Sequence, residues 1–318
     1  MQKQTTMPKT PLQQVVMALA ASPAAARDGM VFAITNEGVL WRSSNRGETW
    51  TRVNIPGSGL AMSVALSPTF DEDSLMWVGM PEGAIIWSPD RGRTWRDSYI
   101  TKTVSPVASL AVSPAVTSDG LVLAATLDDG VLRSLDRGRT WSPANFGLLD
   151  LKTLALALCP SFANEQISLV ATETALFRSR NGGLSWKEVG FWEDAVQCVV
   201  FSPHFGQDRR AWVGTEQGGL MASTDGGQTW QAVESCPKVS VNALGITSEP
   251  EPWLLAGTSQ GLYASDDEGK TWQPVLPDVN VLAMATAGQG ANAWLFAATE
   301  EGKLYRCHGK PDRWEQLG

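Results

Sequence analysis

Seven tryptophans recur at nearly even intervals along the chain, and this period constrains the fold more than any other feature. They are Trp50, Trp95, Trp141, Trp186, Trp230, Trp272 and Trp314, and 42 to 46 residues separate each from the next. The first six end versions of one octapeptide: SSNRGETW, SPDRGRTW, SLDRGRTW, SRNGGLSW, STDGGQTW and SDDEGKTW. A period of this size indicates an array of equal supersecondary units, and seven such units use nearly all of the 318 residues.

Each repeat contains four short strand signals. In the third repeat they are residues 107–114, 121–126, 131–134 and 140–144, which are separated by Pro114 and by the turn sequences DDG and DRGR. Four short strands joined by turns form a β-meander, and seven meanders arranged radially form a propeller that shields its sheet edges. We therefore predict an all-β, seven-bladed β-propeller with four antiparallel strands per blade, in which the octapeptide turn lies between the third and fourth strands.

The same order of strands sets the predicted boundaries. Residues 1–10 precede the first strand signal and are expected to form a disordered lead or a closing segment. A single propeller is predicted over 11–318, with blades at approximately 11–56, 57–102, 103–147, 148–191, 192–236, 237–277 and 278–318. Every repeat is complete, so no strand is left to exchange between the chain ends, and blades one and seven are expected to close by face packing.

The octapeptide contains the residue types that stabilise a tight turn. A short carboxylate can accept several otherwise unpaired backbone N–H groups, glycine adopts positive φ without steric cost, and tryptophan covers the turn. The structural positions are Asn45, Trp50, Asp90, Trp95, Asp136, Trp141, Asn181, Trp186, Asp225, Trp230, Asp267 and Trp272. One carboxylate per turn supplies too few ligands for calcium. The pattern therefore favours turn capping, and we predict neither a metal site nor a cofactor.

This octapeptide, Ser-x-Asp-x-Gly-x-Thr-Trp, resembles the Asp-box, or BNR repeat, of sialidase-like propellers, sortilin-type domains and photosystem II assembly factors of the Ycf48/HCF136 type. In size and single-domain layout the chain resembles the Ycf48/HCF136-like proteins most. The resemblance implies a propeller, and the Ycf48/HCF136 comparison implies a non-enzymatic scaffold or assembly factor that docks a protein partner. Function does not follow from the propeller fold itself.

Catalytic motifs are missing from the sequence, which predicts no catalytic residues. A sialidase uses a tyrosine nucleophile, but Tyr263 and Tyr305 occupy equivalent third-strand positions that are typical of the core. His204 and His308 have no evident triad partner, and no G-x-S-x-G, P-loop or H-E-x-x-H sequence occurs.

A glycan-binding or glycoside-hydrolase-like propeller is the alternative prediction, because carboxylates from different blades could meet. Xyloglucanase-type glycosidases, however, place their site between two propellers. Three loop aromatics are candidate sugar platforms or contacts between neighbouring blades: Tyr99, Phe146 and Trp192.

Charge and cysteine content exclude several classes of protein. The net charge of −8 and the pI near 4.9 argue against a nucleic-acid partner. No apolar run is long enough to span a membrane.

Cys159, Cys198, Cys236 and Cys307 form no C-x-x-C pair and are expected to be free thiols. The apolar stretch at 15–26 resembles a signal peptide but aligns with the first strand of the repeat, so a cytoplasmic, monomeric protein is predicted.

Acidic residues occur in six of the seven turns between the second and third strands. They are Glu37, Glu82, Asp128, Asp129, Glu173, Glu216, Glu300 and Glu301. These turns all lie on one face of a propeller, whereas the octapeptide turns carry Arg46, Arg91, Arg93, Arg137, Arg139 and Lys270 on the other. One interpretation is that acids merely suit exposed hairpin turns. The functional hypothesis is that an acidic face docks a basic protein partner.

Overall fold

The computed structural model describes residues 12–100, 105–191, 194–248 and 252–318. The predicted lead at residues 1–10 and the predicted sugar platform Trp192 lie outside these ranges.

Seven sheets, each built from consecutive strands, confirm the predicted seven-bladed propeller with four antiparallel strands per blade. Blade one contains β1 (Val16–Ala21), β2 (Val31–Thr35), β3 (Leu40–Ser43) and β4 (Thr51–Arg52), and blade two contains β5 (Ser63–Leu66), β6 (Met76–Gly79), β7 (Ile85–Ser88) and β8 (Arg96–Asp97). Blade three contains β9 (Tyr99–Ile100), β10 (Val107–Val112), β11 (Val122–Thr126), β12 (Gly130–Ser134) and β13 (Thr140–Pro143). Blade four contains β14 (Thr153–Leu158), β15 (Ser168–Thr172), β16 (Ala175–Ser179) and β17 (Lys187–Phe191).

The remaining three blades repeat the meander. Blade five contains β18 (Val196–Phe201), β19 (Ala211–Thr215), β20 (Leu220–Ser223) and β21 (Gln231–Ala232). Blade six contains β22 (Val241–Ile246), β23 (Leu254–Thr258), β24 (Gly261–Ser265) and β25 (Gln273–Pro277). Blade seven contains β26 (Val281–Ala287), β27 (Trp294–Thr299), β28 (Leu304–His308) and β29 (Glu315–Leu317).

The first strand of every blade packs against the first strands of both neighbouring blades, so these strands surround the central axis. The second strands are buried on both faces. Space between adjacent blades is tight at the second strands: a Cβ on Gly79 would lie 2.5 Å from a side-chain methyl of Val107 in the next blade, and one on Gly214 would lie 2.6 Å from Val241. The small residues at these positions therefore let adjacent blades taper toward the centre.

Blades one and seven pack against each other in the same way as the other neighbouring blades. β1 packs directly against β26, and one core cluster joins Val16 and Trp50 of blade one to Phe296 and Ala298 of blade seven. Within the described residues no strand is exchanged between the two terminal blades. Packing of apolar blade faces thus closes the ring.

Short helices connect the first and second strands, and the sequence analysis missed them. They are α1 (Ala25–Asp28), α2 (Phe70–Asp73), α3 (Val116–Asp119), α4 (Phe162–Glu165) and α5 (Phe205–Asp208), and a 3-10 turn at Gly290–Asn292 replaces the helix in blade seven. Four of these connections share the sequence Ser-Pro followed by Asp six residues after the Ser. The Ser hydroxyl donates to the Asp carboxylate: Ser22 to Asp28 at 2.7 Å, and Ser67 to Asp73, Ser113 to Asp119 and Ser202 to Asp208 at 2.5 Å. Among the described residues, no helix is long and apolar enough to cross a membrane.

The connectors between blades cover some outer sheet edges. β9 precedes the predicted start of blade three, yet it pairs in parallel with β13, placing Tyr99 opposite Thr140. Phe146 makes a similar parallel bridge to Ser185 in blade four. Such pairing protects edge strands that would otherwise present free backbone groups.

Candidate functional site

Antiparallel strands place the turns of each blade alternately at the two ends of the sheet, so the propeller has two distinct faces. We call the face with the octapeptide turns and the short helices the Asp-box face. The opposite face, which carries the second-to-third-strand turns and the connectors between blades, is the connector face. All eight predicted binding acids lie in turns of the connector face, whereas the predicted turn-capping residues lie at or beside the Asp-box turns.

On the Asp-box face, the acidic residue of each box is fully engaged in its own turn. Asp90 Oδ1 accepts from Ser88 Oγ at 2.9 Å, from the Arg93 amide at 3.1 Å and from the Thr94 amide at 2.8 Å, while Oδ2 accepts from Thr94 Oγ1 at 2.7 Å. Asp136 and Asp225 repeat all four bonds. These contacts stabilise the turn and occupy the lone pairs that a metal ion would need.

The same hydrogen bonds shift the acidity of the boxes. Burial raises the pKa of Asp225, but hydrogen bonds from Thr229 and Ser223 outweigh burial and hold it at about 2. At Asp267 the amide and hydroxyl of Thr271 are the leading causes of a pKa of about 2. Both carboxylates are therefore ionised near neutral pH.

The asparagine boxes keep the turn without the charge. Asn45 Oδ1 accepts from the Thr49 amide at 3.0 Å, and its Nδ2 donates to Thr49 Oγ1 at 3.0 Å. Asn181 makes the equivalent pair of bonds to Ser185. The amide group can therefore substitute for the carboxylate in this turn.

Four box tryptophans cover their turns and bond to nearby carbonyls, whereas Trp95 Nε1 has no hydrogen-bond partner among the described residues. Trp50, Trp141 and Trp272 donate from Nε1 to the carbonyl of their own box glycine at 2.9, 3.0 and 3.1 Å. Trp186 instead donates to the carbonyl of Ala144, in the preceding connector, at 2.8 Å. The tryptophan thus links the octapeptide to its own turn or to the neighbouring blade.

A second repeated contact, absent from the sequence predictions, ties five of the seven blades to the next blade in the described residues. An arginine immediately before the box donates to the carbonyl of the fourth box residue of the following blade. The pairs are Arg42 Nη1 to Arg91 O (3.1 Å), Arg133 Nε to Gly182 O (2.8 Å), Arg178 Nε to Gly226 O (2.6 Å) and Arg306 Nη1 to Arg46 O (3.2 Å). In blade two, Trp77 Nε1 makes the equivalent bond to Arg137 O at 2.9 Å. The sequence signal was an Arg directly preceding the box Ser, or preceding Cys307 in blade seven.

One of these arginines also lines a cavity of about 440 Å³ between blades four and five, together with Arg180 and Arg209. Burial lowers the pKa of Arg178, the charge of Arg180 lowers it further, and Asp225 opposes the shift. Arg209 forms an ion pair with Glu165. The cavity is cationic, and two of its arginines, Arg178 and Arg209, make contacts between the two blades.

The Asp-box face is mixed in charge rather than basic, because the helices add acids that the sequence analysis did not assign there. Asp28, Asp73, Asp119 and Asp208 lie in the short helices of this face. The octapeptide cations are therefore accompanied by acids, and the face as a whole is mixed in charge. The additional acids are the Asp residues that follow the Ser-Pro sequences, and each accepts a hydrogen bond from the Ser hydroxyl.

The connector face is strongly acidic. Its described turns and connectors contain twelve carboxylates: Glu37, Glu82, Asp128, Asp129, Asp150, Glu173, Asp194, Glu216, Glu234, Asp278, Glu300 and Glu301. The same segments contain three cations: Lys152, Lys238 and Lys303. The arrangement creates a negative surface that can attract a cationic group from solution.

Local hydrogen bonds orient several of these carboxylates. Gln14 donates to Glu37 at 2.7 Å, Ser58 to Glu82 at 2.7 Å and Asn280 to Glu300 at 2.9 Å. Glu173 pairs with Lys152 at 3.1 Å, Glu301 pairs with Lys303 at 2.9 Å, and Asp129 accepts from the Ser105 amide at 2.8 Å. Glu216 is exposed in its turn. These acids are spread over six turns around the face.

Comparison with known families agrees with the geometry of the turns. The BNR-Asp box repeat model matches residues 40–53, and the Sortilin-Vps10 model, described as sortilin, neurotensin receptor 3, matches residues 174–315. This chain is an Asp-box β-propeller. It has no significant match among curated protein sequences.

Solved structures of other proteins share the fold of this Asp-box propeller. A GH74 xyloglucanase from Xanthomonas campestris aligns with a TM-score of 0.73 and 19% identity over 98% of this chain and 56% of the enzyme. An ancestral GH74 enzyme aligns with a TM-score of 0.78 and 16% identity over 98% of this chain and 47% of the other. YCF48 bound to a D1 peptide aligns with a TM-score of 0.63 and 14% identity over 95% and 96% of the two chains. The Asp-box propeller thus spans about half the length of the GH74 enzymes and nearly all of YCF48. These likenesses show the fold alone.

Possible metal ligands and the four cysteines are dispersed in the described part of the Asp-box propeller. Within those ranges, no three His, Cys, Asp or Glu residues lie close enough together to hold a metal ion. The four cysteines are free, and burial raises the pKa of Cys198 and Cys236 to about 12. These two thiols are therefore protonated and unreactive at neutral pH.

The candidate sugar platforms lie on outer sheet edges. Tyr99 is 68% exposed beside blade three, and Phe146 is 81% exposed beside blade four. The structure therefore brings these two aromatics to the rims of successive blades.

Proposed function

We propose that this Asp-box propeller is a non-enzymatic binding scaffold whose connector face docks a basic region of a partner protein. The observation that carries the proposal is the charge of that face, where twelve carboxylates stand against three lysines in the described segments. The free cysteines are compatible with a reducing compartment such as the cytoplasm.

The arrangement of the acids favours long-range attraction over a single tight contact. A surface of one charge speeds the encounter with an oppositely charged partner and disfavours partners of the same charge. Because hydrogen bonds already orient Glu37, Glu82 and Glu300, less side-chain freedom is lost when a cation binds. The effect should weaken as salt increases.

The comparisons support a binding role without fixing the partner. YCF48, which has a comparable length, is described bound to a peptide. A glycan-binding or hydrolytic role is the second candidate, supported by the fold shared with the GH74 enzymes, of which this chain spans about half.

The proposal is tested by affinity capture from an extract of the host organism with three baits, followed by quantitative mass spectrometry. The baits are the wild-type chain, a variant with Glu37→Lys, Glu82→Lys and Glu216→Lys on the connector face, and a matched control. The control carries Glu72→Lys, Asp266→Lys and Asp312→Lys, which make the same change in net charge with exposed acids of the Asp-box face.

A partner of the proposed kind is enriched by the wild-type chain and the control, and is lost from the connector-face variant. Captured proteins that are retained equally by all three baits would contradict docking through the acidic face. A screen of soluble β-glucans tests the second candidate: saturable binding, or release of reducing ends, would favour the glycan role.

A further inference from the structure

One connector exposes large apolar side chains along the outer rim of the propeller and also carries an acid of the connector face. Residues 144–152 join β13 to β14 and include Phe146 and Leu149, which are 81% and 82% exposed. They are the most exposed large apolar side chains of the described residues, and Leu151 in the same loop is 39% exposed. Apolar groups exposed together on a surface mark an interaction site.

The backbone of this connector is held in place on both sides. Asn145 Nδ2 donates to the carbonyl of Asp129 at 2.8 Å, and the Gly130 amide donates to the carbonyl of Leu151 at 2.9 Å. Leu148 packs against the core cluster of blades three to five. The exposed side chains are therefore presented from a preorganised loop, which lowers the conformational cost of binding.

Carboxylates of the connector face lie at the end of the same connector, around Lys152. Asp150 lies in the connector, the main-chain carbonyl of Asp129 accepts a hydrogen bond from Asn145 of the connector, and Glu173 pairs with Lys152 at 3.1 Å. Glu173, followed by Asp128 and Asp150, raises the pKa of Lys152, so these acids lie around the same ammonium group. One lysine against four carboxylates leaves the site negative.

Other connectors lack this combination. In their described residues, the exposed large apolar side chains are single: Leu60 between blades one and two, at 38%, and Tyr99 between blades two and three, at 68%. The clustering of apolar and acidic groups therefore distinguishes the connector between blades three and four from the others.

We infer that the partner binds to the connector at residues 144–152, and that the bound segment of the partner carries Lys or Arg beside a large apolar side chain. The inference rests on the proposed function and specifies its partner chemistry. Cations of the segment pair with Asp128, Asp150 and Glu173, and its apolar side chain covers Phe146 and Leu149. Charge then attracts the segment, and apolar burial retains it.

The test uses synthetic peptides of equal length as probes: a Lys/Leu peptide, a Lys/Ser peptide and a Glu/Leu peptide. Their affinities are measured by fluorescence anisotropy against the wild-type chain and the variant Phe146→Ser with Leu149→Ser. The matched control is Leu135→Ser with Leu184→Ser, which removes two exposed leucines, 56% and 52% exposed, from Asp-box turns. Thermal melts check that all three proteins are folded.

The wild-type chain is expected to bind the Lys/Leu peptide about tenfold more tightly than the Lys/Ser peptide, because the leucines cover apolar surface. Phe146→Ser with Leu149→Ser should remove this preference and leave Lys/Ser binding unchanged, whereas the control should behave as wild type. An unchanged preference in Phe146→Ser with Leu149→Ser would overturn the inference and leave the acidic face intact. If neither lysine peptide binds better than the Glu/Leu peptide, the proposed function fails together with the inference.

Discussion

Arg306, in the last blade, donates from Nη1 to the main-chain carbonyl of Arg46, in the first blade, at 3.2 Å. The two residues are 260 positions apart in sequence, yet the contact is the same one that joins Arg42 to Arg91 within the array. Arg306 also pairs with Glu48 of blade one and with Glu315 of its own blade. The terminal junction therefore combines apolar face packing with the repeated arginine contact.

Replacing Arg306 with alanine should weaken this junction. The side chain is nearly buried, and its loss removes a hydrogen bond to a main-chain carbonyl, so we expect the free energy of unfolding to fall by about 2 kcal/mol. Urea unfolding followed by tryptophan fluorescence measures the change. Arg180→Ala, which removes an exposed arginine of a box turn, is the control and should have little effect. Equal stability of the two variants would show that Arg306 does not help to close the ring.

Two tryptophans at equivalent second-strand positions should respond differently to the same substitution. Trp77 Nε1 bonds to Arg137 O at 2.9 Å, whereas Trp212 Nε1 has no hydrogen-bond partner among the described residues. Trp77→Phe should therefore lower the free energy of unfolding by about 1 kcal/mol more than Trp212→Phe does. Thermal and urea unfolding of both variants make the comparison. The reverse order would contradict the assignment of Trp77 as an inter-blade contact.

The Asp-box carboxylates should make the folding stability of the chain fall at acidic pH. The pKa of Asp267 is about 2 in the folded chain, below the value of about 3.9 for an unfolded aspartate. A lowered carboxyl pKa adds stability that is present above the unfolded value and is lost as the pH falls from about 4 toward 2. We expect Asp267→Asn to remain folded at pH 7, as Asn45 and Asn181 do in their boxes, and to lose less stability across that pH range.

Melting temperatures measured from neutral pH to about pH 2 test this expectation. Asp267→Ala is the informative control, because it removes the acceptor as well as the charge and should destabilise the turn at every pH. Parallel pH profiles for the wild-type chain and Asp267→Asn would contradict the role assigned to the carboxylate.

The fold was readable from the sequence because the octapeptide is local: Ser88, Asp90 and Thr94 bond to one another within one turn, so their spacing is visible in the chain. The arginine contacts are different. Arg133 alone resembles a solvent-facing strand residue, and its partner is the carbonyl of Gly182, 49 residues away. Any residue can offer a main-chain carbonyl, so the residue type at position 182 does not reveal that it accepts from Arg133.

The candidate site was predictable only in part. The acidic turns were visible because Glu37, Glu82 and Glu216 recur at the same point of the repeat. The apolar part was not, because Phe146 follows a strand and could equally pack against a neighbouring blade. Its exposure depends on how the backbone of residues 144–152 is held against blade four, which is a tertiary property.

The most direct test of the acidic face is the rate at which a partner captured by the wild-type chain associates with it, measured by stopped-flow at low and near-physiological salt. We expect fast, salt-sensitive association for the wild-type chain and for Glu72→Lys with Asp266→Lys and Asp312→Lys. For Glu37→Lys with Glu82→Lys and Glu216→Lys we expect a rate at least about tenfold lower at low salt, with weaker salt dependence. Equal association rates for all three proteins at low salt would contradict the role proposed for the acidic face.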